Sequence, residues 1–427
     1  MGLVWSSGVG EASAWRPHPR CRLQASSPRL LRPPAALLQP AGRLLVLFAG
    51  ELRIGFAGET TQHGPGNRNF SMQQMAMSLS AVTSPSLHGK TLSAMHARHS
   101  QRLRTRHIHH SQVRAVPQTQ LQYQKLGDSD LVISKVTLGT MTFGEQNTEK
   151  EAHGFLSYSF DQGVNILDTA EIYPLPFDKE TQGRTDLYIG RWMQLKPRDK
   201  IILATKVAGY SERFTFLRDS AKVVRVDAAN IREGVEKSLK HTLVRYIGVS
   251  NETSYGVMEF VHAAKAQGFP KIVSIQNSYS LLVRCCFDVD LVEVCHPSNC
   301  NVGLLANSPL AGGVLTGKYL DANADISKRS RLNLFPGFMA RNNSSLAKEA
   351  TNEYVKLAKR HGLTPVQLAL VFVRDRPFTT SSIIGATTMD QLKENIDAFS
   401  RVPRPLPQEV LDGIDDIYKR YRDPAIL

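Results

Sequence analysis

The fold class that the sequence predicts is α/β: a (β/α)8 TIM barrel of parallel strands that is incomplete by one unit. Three observations predict it. From residue 121 onward, short apolar runs alternate with stretches of helical period, the pattern of a parallel sheet covered by helices. Polar residues stand at the C-terminal ends of these runs all along the chain, whereas an open doubly wound sheet would collect them at one switch point. No Gly-x-Gly-x-x-Gly follows the first run, and Gly139 and Gly144 have the wrong spacing for a dinucleotide-binding turn.

The elements follow in order. The stretches 121–126 and 131–135 flank Gly127-Asp128, a hairpin signal. Val136–Gly139 reads as the first barrel strand. Thr148, with Glu151 three residues on, predicts a capping box. Ala152, Phe155, Leu156 and Phe160 give that helix one apolar face, and Gly163 ends it. A strand over 164–168, a helix over 182–194 and a strand over 201–205 come next. Asp227 caps a helix with Ile231, Val235 and Leu239 on one side. Then come strand 246–249, a helix over 254–266 closed by Gly268, strand 272–276, a helix over 288–295, strand 302–306, a helix over 344–361, strand 382–384 and a helix over 388–398. A last amphipathic helix over 407–421 starts at Pro407.

That makes seven strands. Only five residues separate the helix ending near Lys240 from Tyr246, so a βα unit of about thirty residues is missing there. Strand number, tilt and shear are linked in a closed barrel. The expectation is therefore a gap, or a strained closure, between the third strand and the strand at 246, with two unpaired edges.

The charge is lopsided. Residues 1–120 hold thirteen Arg and one Lys against Glu11, Glu51 and Glu59, which accounts for +11 of the net +14. The basic balance thus belongs to the leader, and the body shows no basic face with interleaved aromatics of the kind nucleic acid requires. Residues 1–70 are rich in Pro, Arg, Gly and Ala without period and are expected to lack structure. Their longest apolar run, 44–49, is too short to span a bilayer. Residues 72–118 are Ser- and Arg-rich and acid-free, the composition of a transit peptide, and point to a chloroplast address with a mature start near 115–120 and initiation at Met72, Met75 or Met77. Without such cleavage the address is the cytoplasm. The five Cys make no disulfide framework in a chain this long. Cys295, His296 and Cys300 lack a fourth ligand and paired spacing, so no metal is expected.

The residues with chemistry to offer lie at the ends of the second and third strands. Asp168 ends one apolar run, Tyr173 follows beyond a turn, and Lys206 ends the next. A phenol titrates near pH 10 on its own. A nearby ammonium favours phenolate and is expected to lower that value, while the carboxylate keeps the ammonium charged and in place.

Over essentially all of 121–427 the chain resembles the aldo-keto reductase family, in the branch near potassium-channel β-subunits and their bacterial and plant relatives. The likeness rests on ordered motifs: LGTMTFGEQ (138–146), NILDTAEIYP (165–174), ATKV (204–207), RYIGVSNET (245–253), SIQNSYSLL (274–282), SPLAGGVLTGKYL (308–320) and IIGATTMDQLKENI (383–396). The resemblance implies a TIM barrel with NADP(H) lying across the strand C-termini. It implies Tyr173 as general acid, tuned by Asp168 and Lys206. Gly139, Thr140 and Met141 of the first motif fall to the cofactor, and Ser250, Asn251 and Gln276 match the positions that hold the nicotinamide carboxamide. Ser308, Leu310, Gly312 and Leu315 match the loop around the pyrophosphate, with Lys318 and Arg331 as phosphate ligands. Gly385, Thr387, Gln391, Glu394 and Asn395 match the turn and helix start that hold the 2′-phosphate, which favours NADP over NAD.

Two departures stand out. The family's fourth catalytic residue, a His ending the fourth strand, falls in the missing unit, and none of His153, His241, His262, His296 or His361 ends a strand. Asn307 stands where the family usually stacks a Tyr on the nicotinamide. The reading is an NADP-dependent oxidoreductase for an aldehyde or ketone, impaired in this chain, monomeric or weakly self-associating, and without nucleic-acid or membrane partners. The alternative is a non-catalytic NADP-binding regulatory or structural subunit.

Overall fold

The computed structural model describes residues 43–49, 120–209, 215–217 and 244–425. The helix expected over 227–240, and the start and cleavage points expected in the leader, lie outside the described residues. All seven expected barrel strands are present: β4 (Val136–Gly139), β5 (Ile166–Asp168), β6 (Ile202–Val207), β7 (Tyr246–Ser250), β8 (Ile272–Ser278), β9 (Gly303–Asn307) and β10 (Thr379–Ile384). Before them come β1 (Arg43–Ala49) and the antiparallel pair β2 (Tyr123–Lys125) and β3 (Val132–Ser134).

Among the described residues the body therefore supplies seven staves of an incomplete (β/α)8 barrel. The expected gap is not left open, however. The sheet closes in the order β1-β6-β5-β4-β10-β9-β8-β7. β1 belongs to the stretch expected to lack structure, and it runs parallel to both β6 and β7, the strands on either side of the expected gap. Arg43 pairs with Ile202 and Phe48 with Val207 on one side; Leu45 pairs with Tyr246 and Ala49 with Ser250 on the other. The sequence expectation failed here because a run apolar in every position reads as compositional noise in a Pro/Arg-rich leader. Such a run is nonetheless the composition of a parallel strand paired along both edges.

The helices sit as their caps predict. α1 (Glu149–Asp161) starts from Thr148 with the reciprocal Glu151 capping box. α2 spans Arg184–Met193 and α3 Ser254–Gln267, the latter ending at Gly268 in the left-handed conformation. α4 is Ser345–Arg360, α6 Met389–Ser400 and α7 Gln408–Arg420. Between α4 and α6 lies α5 (Pro365–Arg374), which the helical period does not reveal. Eight of its ten residues are buried, so it has no polar face to alternate with. The helix expected over 288–295 is two single turns, Cys285–Asp288 and Leu291–Val294, broken at Val289-Asp290.

The β2–β3 hairpin covers one end of the barrel. Its Leu126, Leu131 and Ile133 pack against Ile166, Ile202, Ala204, Val273, Leu305 and Ile383 from the strands. Gly127 makes this seat possible: at φ +54 it lies so close that a Cβ would stand 2.4 Å from the Val273 carbonyl oxygen. The other end, where the strands finish, carries the polar residues.

Candidate active site

Parallel register brings Asp168, Lys206 and their supports to one end. Asp168 closes β5 beside Gly139 of β4, and Lys206 lies near the end of β6. The Lys206 ammonium donates to both Asp168 carboxylate oxygens at 2.8 Å, to the Thr169 carbonyl at 2.8 Å, and to the Tyr173 hydroxyl at 3.4 Å. Asp168 is 3 % exposed and Lys206 9 %. At that burial the pair is barely screened by water, unlike a surface ion pair. The Thr140 amide and hydroxyl both donate to the Asp168 carbonyl, at 3.1 and 2.9 Å, and fix the backbone that carries the carboxylate.

The electrostatics correct one expectation. The Tyr173 phenol is pushed up, not down. Burial outweighs the opposing pull of the Lys206 charge, and the Asp168 charge adds to the rise. The group is therefore held as the neutral acid. Burial pulls the Lys206 ammonium down, but the Asp168 charge, helped by the Tyr173 oxygen beside it, overcomes it and leaves the net shift upward. A further carboxyl lies behind: the Thr169 hydroxyl donates to Asp186 at 2.7 Å, and burial pushes that carboxyl up to about 6. Sequence reasoning missed Asp186 because it sits inside α2, where an exposed acid is ordinary.

The carboxamide-binding candidates converge on the same point. In the described structure they bond to one another. Gln276 donates from its side-chain nitrogen to Asp168 at 2.8 Å, and the Ser250 hydroxyl and Asn251 amide both donate to the Gln276 carbonyl at 3.0 Å. Asn251 adopts φ 55, the tight turn that ends β7.

After β9 the backbone passes through Ser308, Ala311, Gly312 and Gly313, all at positive φ. Leu310 and Leu315 lie in the same loop, where the Leu315 amide donates to the Leu310 carbonyl at 3.3 Å. Lys318 and Arg331 close the loop. Burial lowers both cations, and Arg331 lowers Lys318 further. Among the described residues neither forms an ion pair; Arg331 donates to Gln146 at 3.3 Å. Two half-buried cations that repel each other and face no carboxylate fit the phosphates of a dinucleotide.

At the end of β10, Asn395 donates to the Gly385 carbonyl at 3.1 Å and the Thr387 amide donates to Gln391 at 3.0 Å. Thr388 caps α6. Gln391 and Asn395 thus shape the turn at the helix N-terminus, while Glu394 accepts from Thr364 at 3.2 Å on the surface. Met141 lies at the β4 end, where its carbonyl accepts from the Leu175 amide at 2.9 Å. Asn307 ends β9 opposite Ser278. Among the described residues no His bonds to Tyr173, Asp168 or Lys206; the His153 ring reaches the Tyr188 carbonyl at 2.9 Å on the outer helices. Cys295 is buried and its thiol pushed up to about 12 by that burial, and no group of three or more metal-ligating side chains occurs among the described residues. No helix there is long and apolar enough to cross a membrane.

The family model for the aldo/keto reductases matches residues 135–242 and 243–419. The chain belongs to that family. It is 40 % identical over 360 residues to "Protein tas" of Escherichia coli, covering 71 % of this chain and all of that protein. It is 37 % identical over 194 residues to an "Aldo-keto reductase" of Babesia bovis, covering 45 % of this chain and 67 % of that one. With "Uncharacterized oxidoreductase YrpG" of Bacillus subtilis it shares 29 % identity over 332 residues, 70 % of this chain and 96 % of the other. Membership of the aldo/keto reductases supports oxidoreduction at carbonyl groups with a nicotinamide cofactor.

Proposed function

We propose that this aldo/keto reductase chain binds NADP(H) across the strand ends and reduces an aldehyde or ketone slowly, with Tyr173 as the proton donor. The observation that carries the reading is the Lys206 ammonium held between the Asp168 carboxylate and the Tyr173 hydroxyl. When bound, the cofactor supplies the hydride that reaches the carbonyl carbon. Tyr173 donates a hydrogen bond to the carbonyl oxygen and gives up its proton as charge develops there. Lys206 compensates the phenolate that results, and Asp168 keeps Lys206 charged throughout. Lys318 and Arg331 hold the phosphates. The α6 N-terminus with Thr387 and Gln391 receives the 2′-phosphate, which favours NADP over NAD.

Slow turnover follows from the unit absent near residue 243. The two matched segments meet there. The alignment with the Escherichia coli relative runs over 360 positions and takes in all of that protein but 71 % of this chain, so part of that protein's length has no counterpart here. The His that the family carries at the end of its fourth strand falls in that stretch. β1 ends in Phe48-Ala49, which brings no ionisable group in its place. Loss of one donor to a developing oxyanion commonly costs about a hundredfold or more in rate. The same observation favours the second reading, an NADP-binding subunit without turnover. Stopped-flow and steady-state oxidation of NADPH with an aromatic aldehyde decide between them. Slow turnover that Tyr173→Phe abolishes supports the first; saturable NADPH binding without turnover supports the second; no binding sinks both.

A further inference from the structure

We propose that the slot between β6 and β7 is a strand-binding surface whose partner is this chain's own segment Arg43–Ala49, and that insertion of that segment sets the spacing on which the candidate site depends. The proposal concerns closure of the barrel and holds whether or not the chain turns over substrate.

Four observations meet here. The segment, RLLVLFA, lies between Gly42 and Gly50, and every residue after its first is apolar. A parallel strand with neighbours on both sides needs that composition, since both of its faces are covered. Its length also matches the slot. Six consecutive residues pair with β6 from Arg43↔Ile202 to Phe48↔Val207, and five with β7 from Leu45↔Tyr246 to Ala49↔Ser250, with no shift of register. The connection is long enough as well. Parallel strands need a crossover of a dozen or more residues, and residues 50–201 separate β1 from its neighbour β6.

The fourth observation ties the insertion to function. Leu47 is in register with Lys206, and Ala49 with Ser250. Adjacent strands lie about 4.8 Å apart, so one stave between β6 and β7 holds the proton-delivery pair and the carboxamide-binding turn about 10 Å apart across the sheet. Without it, either both strands expose a full row of unpaired amides and carbonyls, or they pair directly and halve that distance. β1 thus restores the sheet without restoring the family's histidine.

Hydrogen–deuterium exchange on the full chain tests this. Peptides covering 43–49 should be protected to the same degree as those covering Ile202–Val207. Val46→Pro removes one amide from the middle of a strand paired on both sides and leaves a carbonyl opposite it without a donor. It should lower protection of 202–207 and 246–250 roughly tenfold to a hundredfold, while Val136–Gly139 and Thr379–Ile384 keep theirs. Val46→Thr, which keeps the amide, should leave both strands protected. Exchange of 43–49 at the rate of an unstructured peptide would overturn the proposal. So would a Val46→Pro chain whose β6 and β7 protection is unchanged. The native protein gives an independent check. The mass of the purified chain should show residues 43–49 retained, attached or as a bound fragment; a mature form that starts near 115–120 and has lost them ends the proposal.

Discussion

Asp168→Asn is the sharpest test of the charged pair beneath Tyr173. The substitution keeps the shape of the side chain and the hydrogen bond from Gln276 to its oxygen, and it removes one charge. Lys206 then loses the partner that both carboxylate oxygens provide at 2.8 Å and retains the Thr169 carbonyl and the Tyr173 hydroxyl. Whether this costs a few tenths of a kcal/mol or several depends on water access. The two side chains are 10 % and 4 % exposed, so the value for a buried pair applies, about 3–5 kcal/mol for removing one partner. Urea unfolding reads this directly; at a slope of about 3 kcal/mol/M the midpoint should fall by at least about 1 M. Lys206→Met should cost a similar amount. Because each single change strands the other residue, the double variant should cost less than the two singles combined, with a coupling above about 1 kcal/mol. Two additive effects, or a single variant within about 0.5 kcal/mol of the parent, would refute the picture of a tightly held pair.

Other predictions can be checked in the same preparations. Tyr173→Phe should lower any aldehyde reduction by at least about a hundredfold and leave the NADPH dissociation constant within about threefold, read from nucleotide fluorescence. Asp186 has its carboxyl raised from 3.8 to about 6, chiefly by burial, with the Thr169 hydrogen bond opposing and the Glu171 charge adding. A value raised on folding gives stability that is present below pH 3.8 and lost as pH climbs through about 6. Asp186→Asn should therefore stabilise the protein at pH 7 by up to about 3 kcal/mol, and the advantage should vanish near pH 4. Gly313 stands at φ +95, and a Cβ there would lie 2.9 Å from Lys318 Cε. Gly313→Ala should displace that ammonium and weaken NADPH binding about tenfold or more, with little change in the affinity of an uncharged substrate.

Most of the barrel was legible because its strands are short apolar runs cut off by polar residues, and its helices carry explicit signals such as the Thr148 capping box and the closing Gly268. The triad at Asp168, Tyr173 and Lys206 was legible for a related reason: parallel register puts consecutive strand ends on one side. What stayed hidden had no periodic signature. α5 is buried all round, and β1 sits far from its neighbours in sequence, where no local pattern tells which edge it joins. The rise in the Tyr173 value was missed because a sequence displays the charges around a phenol but not the depth at which it is buried.

The hairpin of β2 and β3 is a stopper built from residues that precede β4 in the chain. Seated on Val273 through Gly127, it packs Leu126, Leu131 and Ile133 onto Ile166, Ile202, Ala204, Leu305 and Ile383 and stoppers the end away from Asp168 and Lys206. A bulkier residue at Gly127 would meet the Val273 carbonyl, lift the stopper and expose the apolar side chains it covers.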